Sequence, residues 1–275
     1  MGRSQSGGRL SDRLFIRGLQ ADCIIGRAEW ERLVRQTVSI DLELPCDVRH
    51  AAGLDDVGPG VLNTKAISKH TSAFIEETSF QLLESLAEAV AGRLLETFPL
   101  SWVRLCVSKP GALRGTRTVG VDIRRRRVFI SVGSNLEPDQ NMAKARAWLS
   151  GSWSRVFESA AYGPPGQPDF QNAVASLVTG WSLSELRAWL RALEARAGRV
   201  RTEDKFAPRP LDLDVVLYGR FVSEDIFERP YVLVPMVELA PEFPIRRTTL
   251  AQLLAERPDF LSRVTGHHPP AAPGP

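Results

Sequence analysis

Cysteine is scarce in this chain of 275 residues: Cys23, Cys46 and Cys106 are odd in number, far apart, and fit neither a metal-ligand spacing nor a disulfide framework. They read as reduced core residues, and a cytoplasmic location is the matching expectation. No apolar run reaches membrane-spanning length, and the first ten residues lack the apolar centre of a secretion leader, so no membrane partner is expected. A charge excess is also missing. The 35 Lys and Arg residues face 32 Asp and Glu, leaving +3, and no basic stripe interleaves with aromatics, which argues against nucleic acid as a partner. Histidine is limited to four residues, and the adjacent His267 and His268 fall in a Pro/Ala/Gly-rich tail, a poor setting for a metal. What remains is a soluble globular composition, 43% hydrophobic and 24% charged, long enough for roughly two domains with their own cores.

Periodicity places the elements. Leu14 to Gly26 reads as a strand, and in Thr37 to Leu44 the residues Val38, Ile40, Leu42 and Leu44 alternate with Ser39, Asp41 and Glu43, a strand with one wet face. A Gly/Asp-rich loop is expected from Ala52 to Gly60. Helices are expected over Thr64 to Glu76 and Phe80 to Phe98, then strands over Val103 to Val107 and Thr118 to Ile123. That order is an α+β pattern. The four consecutive arginines Arg124 to Arg127 read as a solvated connector between domains of residues 12–124 and 128–262, with residues 1–11 and 263–275 expected as disordered tails.

In the second half, Val128 to Gly133 reads as a strand, Asn141 as the cap of a helix reaching Leu149, and Ala173 to Thr179 as a strand. Ser182 with Glu185 forms a capping box for a helix striped by Leu183, Leu186, Leu190 and Leu193 and stopped by Gly198. A strand near Tyr231 to Val234 and a helix from Thr249 to Glu256 complete the pattern.

Between Gly198 and Gly219, Arg199, Arg201, Lys205 and Arg209 occupy a loop broken by Pro208 and Pro210. A short strand follows in which Asp212 and Asp214 share one face, roughly 7 Å apart. Two bare carboxylates at that spacing repel by about 2 kcal/mol at an effective dielectric near 20. A divalent cation relieves this, and Mg²⁺ suits oxygen ligands completed by substrate phosphates, which guanidinium forks also recognise. These residues alone describe either a nucleotide triphosphate site or an exposed edge strand beside a basic loop.

Four ordered motifs decide between them: Phe129-Ile130-Ser131-Val132-Gly133-Ser134-Asn135-Leu136, Pro168-Asp169-Phe170-Gln171-Asn172-Ala173, Gly198-Arg199-Val200-Arg201, and Arg209-Pro210-Leu211-Asp212-Leu213-Asp214. Through them, residues 128 to about 245 resemble 6-hydroxymethyl-7,8-dihydropterin pyrophosphokinase. The resemblance implies a ferredoxin-like α+β sandwich that transfers the terminal diphosphate of ATP to the pterin hydroxymethyl group and releases AMP. It implies Mg²⁺ on Asp212 and Asp214, with Glu194, Arg199, Arg201, Arg209 and Arg229 around the nucleotide and Arg201 and Arg209 as catalytic cations. Phe170 and Tyr231 would sandwich the pterin, and Asn172 would bond its edge. Taken singly, Phe170 reads as a core residue. Two departures stand out: the loop between Tyr162 and Phe170 is short, and no histidine precedes Arg229 where the family has one for ATP. Both imply weaker ATP binding than the family norm.

Gly26-Arg27-Ala28-Glu29-Trp30-Glu31-Arg32, Leu54-Asp55-Asp56-Val57, Leu83-Glu84-Ser85-Leu86-Ala87-Glu88 and Val107-Ser108-Lys109-Pro110-Gly111-Ala112-Leu113 make residues 12 to about 124 resemble dihydroneopterin aldolase. The resemblance implies the tunnelling fold, a homo-oligomer with active sites between subunits, and a retro-aldol cleavage that needs no cofactor. It assigns proton handling to Lys109, the pterin anchor to Glu84, and to Glu31 a catalytic place on the neighbouring subunit's side of the pocket. Thr64 stands where the family has its catalytic tyrosine, which implies slow cleavage or diversion to epimerisation or oxidation. Together the halves imply consecutive steps of folate synthesis in one chain. The alternatives are a pterin- or nucleotide-binding protein with impaired turnover, and an enzyme of a specialised pterin route.

Overall fold

The strand expected to alternate does so. In the computed structural model, which describes residues 12–56, 60–161, 166–200, 208–246 and 248–267, Val38, Ile40, Leu42 and Leu44 are each 0% exposed. The chain divides into two units, residues 1–125 and 126–275.

The first unit runs through β1 (Arg13–Ile25), a 3-10 turn (Glu29–Arg32), β2 (Gln36–Pro45), α1 (Val48–Leu54), α2 (Thr64–Glu76), β3 (Ser79–Phe80), α3 (Leu83–Thr97), β4 (Trp102–Pro110) and the opening of β5 (Thr118–Ser134). Its sheet has the order β3-β1-β2-β4-β5, with β1, β2 and β4 antiparallel. Val38, Ile40, Leu42 and Leu44 of β2 and Val103, Leu105 and Val107 of β4 are buried, as are Ile67 and Ile75 of α2 and Leu86, Val90 and Leu94 of α3. The opposite face is less wet than alternation suggests: Glu43 is buried because Arg17 bonds it at 2.6 Å and Arg13 and Arg104 lie at 3.5 and 3.8 Å. These arginines hold its carboxyl below the usual range. The loop expected from Ala52 begins inside α1 instead. Asp47 caps that helix by accepting the His50 N–H at 3.0 Å, and Asp55 ends it in the left-handed region; residues 57–59 lie outside the described ones.

The arginine run is strand, not a solvated connector. It lies within β5, and its side chains are committed. Arg124 stacks on Trp102, Arg125 pairs with Glu88, Arg126 stacks on Tyr218, and buried Arg127 donates to Ser176 at 2.8 Å above the Phe129 ring.

The second unit continues from the rest of β5 through α4 (Pro138–Trp148), β6 (Ser152–Trp153), β7 (Val156–Ser159), β8 (Phe170–Thr179), α5 (Leu183–Arg196), β9 (Asp212–Tyr218) and β10 (Phe221–Val222). Then come α6 (Asp225–Glu228), α7 (Pro230–Leu239), β11 (Pro244–Ile245), β12 (Thr248–Thr249), α8 (Leu250–Ala255), α9 (Asp259–Ser262) and β13 (Thr265–His267). Strands β7-β8-β5-β9 are hydrogen-bonded in that order and antiparallel, the order of a ferredoxin-like sheet. One face packs Val128, Ile130 and Val132 against α4 and α5. The other packs Phe129, Val174 and Val216 against α7 and α8. Three expectations change. Tyr231 to Val234 lies in helix α7: Pro230 opens it at the first position, and a short fully buried apolar run carries no period that separates strand from helix. Asn141 is inside α4 rather than capping it, its Nδ2 donating to the Leu136 carbonyl at 2.7 Å. Residues 265–267 of the expected disordered tail form β13, which pairs along the outer edge of β7 and satisfies main-chain groups that an edge strand leaves open. Residues 1–11 and 268–275 lie outside the described ones.

Candidate active sites

In the second unit, the register of β5 places the motifs side by side. Gly133 faces Asn172 on β8 and Asp212 on β9; two residues earlier Ser131 faces Asp214. Paired residues project to one face, so Asn172, Asp212 and Asp214 converge over β5. Gly133 keeps the floor open, because a Cβ there would lie 3.3 Å from Asn172 Oδ1 and 3.6 Å from the Phe170 ring. The result is a pocket of about 280 Å³ lined by Phe170, Asn172, Arg209, Asp212, Asp214, Arg229 and Tyr231, with Asp225 and Ser159 beside them. Seven sequence-predicted residues are thus brought together. Phe170 comes from β8 and Tyr231 from the first turn of α7. Asn172 is buried, its Nδ2 donating to Ser159 Oγ at 3.0 Å.

The cationic loop reaches this pocket through Asp212. Arg209 donates to Asp212 Oδ2 at 2.5 Å, and Arg199 donates to Asp212 Oδ1. Arg199 also pairs with Glu194, which is buried and accepts the Leu213 N–H at 3.0 Å. Neither Glu194 nor Arg199 lines the pocket; both lie behind Asp212. Arg201 and Lys205 lie outside the described residues, as does the Tyr162 end of the short loop.

Asp214 stands at the open side of the pocket yet is crowded by protein atoms. Burial, then the charges of Asp212 and Glu194, push its carboxyl up to about 6. This crowding of negative charge is what a divalent cation relieves. Asp212 and Asp214 fit Mg²⁺ as a two-carboxylate donor set, and no group of three or more His, Cys, Asp or Glu residues suited to a metal occurs among the described residues. Water and phosphate oxygens would complete such a shell.

In the first unit, Lys109 near the end of β4 donates to Glu31 Oε1 at 2.6 Å and to the Ile25 carbonyl at 3.2 Å. Lys109 and Glu31 pair within one chain, where the 3-10 turn folds back over the end of β1. The other Glu31 oxygen accepts the Ala28 N–H at 2.9 Å, and these bonds hold the Glu31 carboxyl below the usual range. Arg32 pins the turn by donating to the Phe80 carbonyl at 2.8 Å and to Ser79 Oγ. Gly26, at φ +138°, is required twice: its backbone favours glycine, and a Cβ would overlap the Glu31 carboxylate. Glu84 is exposed in the first turn of α3, and Thr64 is exposed at the start of α2. Neither touches the Lys109 and Glu31 pair.

A family model described as dihydroneopterin aldolase matches residues 14–124, and one described as 7,8-dihydro-6-hydroxymethylpterin-pyrophosphokinase matches residues 129–241. The dihydroneopterin aldolase of Escherichia coli K12 is 39% identical over 114 residues, covering 42% of this chain and 93% of that one. The 2-amino-4-hydroxy-6-hydroxymethyldihydropteridine pyrophosphokinase of Haemophilus influenzae Rd is 32% identical over 146 residues, covering 47% of this chain and 91% of that one. The chain belongs to both families. The folic acid synthesis protein fol1 of Pneumocystis carinii, 29% identical over 266 residues, matches both halves at once, across 84% of this chain, which spans 36% of that relative's length.

Within the aldolase half, Gly26 and Arg32 support the turn that carries Glu31, a part that the sequence motif holding both does not reveal. Within the pyrophosphokinase half, Asp225 is an unforeseen charged residue of the pocket. It is held by Ser223 Oγ at 2.8 Å and lies 3.7 Å from Arg229, and a lone aspartate in a short helix gives no sequence signal. No helix among the described residues is long and apolar enough to cross a membrane.

Proposed function

We propose that the chain catalyses two consecutive steps of folate synthesis: retro-aldol cleavage of 7,8-dihydroneopterin in the first unit, then ATP-dependent diphosphorylation of the released 6-hydroxymethyl-7,8-dihydropterin in the second. The observation that carries the reading is the single pocket uniting Phe170, Asn172 and Tyr231 with Asp212, Asp214, Arg209 and Arg229. It joins a slot for a flat heterocycle to a site for a charged phosphate chain.

In the cleavage step, a proton leaves the side-chain hydroxyl, the carbon-carbon bond breaks to release glycolaldehyde, and the enol-like pterin takes up a proton. Lys109 has three donors, of which two are engaged by Glu31 and the Ile25 carbonyl. The third is available to move protons at the pterin side chain through water, while Glu31 keeps the ammonium oriented. Glu84 would anchor the pterin edge. The exposed Trp30, Leu33 and Val34 beside Glu31 are 64, 83 and 46% exposed and support a homo-oligomer built through this unit, which would complete the site.

In the transfer step, the substrate hydroxyl attacks the β-phosphorus and AMP leaves. Such chemistry depends on alignment and charge neutralisation. Phe170 and Tyr231 fix the pterin plane, Asn172 reads its edge, and Arg209, Arg229 and Arg201 bind phosphate oxygens. Mg²⁺, held by Asp212 and Asp214, would neutralise phosphate charge. The partners are small pterins and ATP, and the location is the cytoplasm.

Incubating the protein with dihydroneopterin, ATP and Mg²⁺ and identifying every product tests the whole reading. Glycolaldehyde, AMP and the pterin diphosphate are expected. Asp212→Ala and Asp214→Ala should abolish AMP formation while sparing glycolaldehyde, and unchanged AMP formation in both would overturn the metal assignment.

A further inference from the structure

Asp212 carries a guanidinium on each carboxylate oxygen, Arg199 on Oδ1 and Arg209 on Oδ2. The two arginines differ in what lies behind them. The Arg199 nitrogen that reaches Asp212 also donates to Glu194 Oε1 and, at 3.5 Å, to the Leu211 carbonyl. Glu194 Oε1 is itself fixed by the Leu213 N–H at 3.0 Å, on the strand that carries both aspartates. Arg199 therefore bridges a buried carboxylate anchored to the main chain and a second one that the pocket reaches.

We propose that Arg199 is an exchangeable counter-ion of Asp212: it orders the carboxylate before a divalent cation arrives, yields the oxygen to the cation, and stays paired with Glu194. The proposal rests on the reading of Asp212 and Asp214 as the metal pair. A guanidinium and a divalent cation on neighbouring lone pairs of one carboxylate repel each other, so one must withdraw. The Arg199 side chain is 15% exposed, and a buried charge that loses its only partner is strongly unfavourable. Glu194 removes that penalty. Arg209, more open at 32% and lining the pocket, can turn to phosphate instead. The cation alone must compete with both arginines, whereas a cation arriving with phosphates brings a new partner for Arg209. Glu194 and Arg199 are thus positioning residues for the metal carboxylate.

The test is binding of Mn²⁺ to the full chain without nucleotide, read from the electron paramagnetic resonance of the free ion. Arg199→Met should raise Mn²⁺ affinity by about tenfold, one charge-assisted hydrogen bond removed from competition. Glu194→Gln should lower it, because Asp212 is then the one carboxylate left to Arg199. Arg199→Lys keeps the charge but loses the fork, and should fall between wild type and Arg199→Met; it also carries the test if the methionine variant fails to fold. An Arg199→Lys affinity equal to wild type would reduce the effect to through-space charge and overturn the exchange. Asp212→Asn, with a non-hydrolysable ATP analogue present, separates the two levels. If it loses Mn²⁺ while the Arg199 variants match wild type, exchange fails and the metal pair stands. If it binds Mn²⁺ as well as wild type, the metal pair itself is wrong.

Discussion

Asn135 and Arg209 hold each other by the main chain: Asn135 Oδ1 accepts the Arg209 N–H at 2.7 Å, and the Asn135 N–H donates to the Arg209 carbonyl at 3.2 Å. Asn135 Nδ2 donates to the Pro168 carbonyl at 3.3 Å, so one buried side chain ties together the end of β5, the segment before Phe170 and the loop before Asp212. Asn135→Ala removes the acceptor that holds the Arg209 N–H and the donor to the Pro168 carbonyl, and should cost about 1–3 kcal/mol of stability in the second unit. AMP formation should fall by about tenfold or more through misplacement of Arg209, with glycolaldehyde release unchanged. Thermal melts and separate assays of the two products check this.

Gly26 and Glu31 supply a matching test in the first unit. A methyl group at position 26 would occupy the space of the Glu31 carboxylate, on a backbone at φ +138°. Gly26→Ala should displace Glu31 from Lys109 and reduce glycolaldehyde release by about a hundredfold, the scale of a misplaced acid-base group. AMP formation from supplied hydroxymethyldihydropterin should remain. A variant with full cleavage activity would remove the pair from the mechanism.

Much of this was legible because the responsible forces are local. The alternation of β2, the Ser182 and Glu185 capping box and the left-handed Gly198 that closes α5 each depend on near neighbours, and each stands where the pattern puts it. Asp212 and Asp214 could be placed on one face for the same reason. Tyr231 could not be placed on a helix, because Val232 to Met236 after it are all buried and leave no polar face to mark a period. The arginines of β5 were unreadable for a different reason: their partners Trp102, Glu88, Tyr218 and Ser176 are distant in sequence. The resemblance places Glu194 at the nucleotide, but only tertiary structure reveals that its carboxylate accepts the Leu213 N–H.

The thin covering of the second site bears on affinity. The connection from β9 to Arg229 holds only β10 and the four-residue α6, with Asp225 in the pocket lining, 3.7 Å from Arg229 and among the charges that raise the Asp214 carboxyl. On the proposed reading, Asp225 would add negative charge beside Arg229, where the phosphates would bind. Calorimetric titration with a non-hydrolysable ATP analogue and Mg²⁺ should give weaker binding than in the H. influenzae relative. Asp225→Asn should tighten it by about threefold, a modest gain because the Asp225 side chain is 48% exposed and screened.

Thr64 offers a gain-of-function experiment. It is exposed at the first position of α2, where Asn63 already caps the helix by accepting the Ala66 N–H at 2.9 Å, so a larger side chain disturbs no packing. Thr64→Tyr places a phenol, of ordinary pKa about 10, where the resemblance implies a tyrosine. Glycolaldehyde release should rise by about tenfold or more, with any epimerised or oxidised pterin reduced in proportion. An unchanged product ratio would show that this chain protonates its intermediate by another route.

The pairing of Lys109 with Glu31 predicts a pH dependence with a defined sign. The Lys109 hydrogen bond, foremost among the causes, holds the folded Glu31 carboxyl below its unfolded value. A depressed carboxyl stabilises the fold fully above the unfolded pKa, near 4.3, and the contribution is lost as pH falls through the lower folded value. Lys109→Met removes the cause. With side chains only 12 and 16% exposed, the pair should contribute about 2 kcal/mol, so the variant should melt below wild type at neutral pH. As pH falls below the unfolded value the gap between the two melting curves should narrow, until the folded Glu31 carboxyl takes its proton and only the Lys109 bond to the Ile25 carbonyl still separates them. Because Glu43 and Asp122 in the same unit are also depressed by arginines, absolute acid stability mixes several groups. The difference between wild type and Lys109→Met isolates this one, and a gap that stayed constant down to pH 3 would mean that Lys109 stabilises the fold by packing alone.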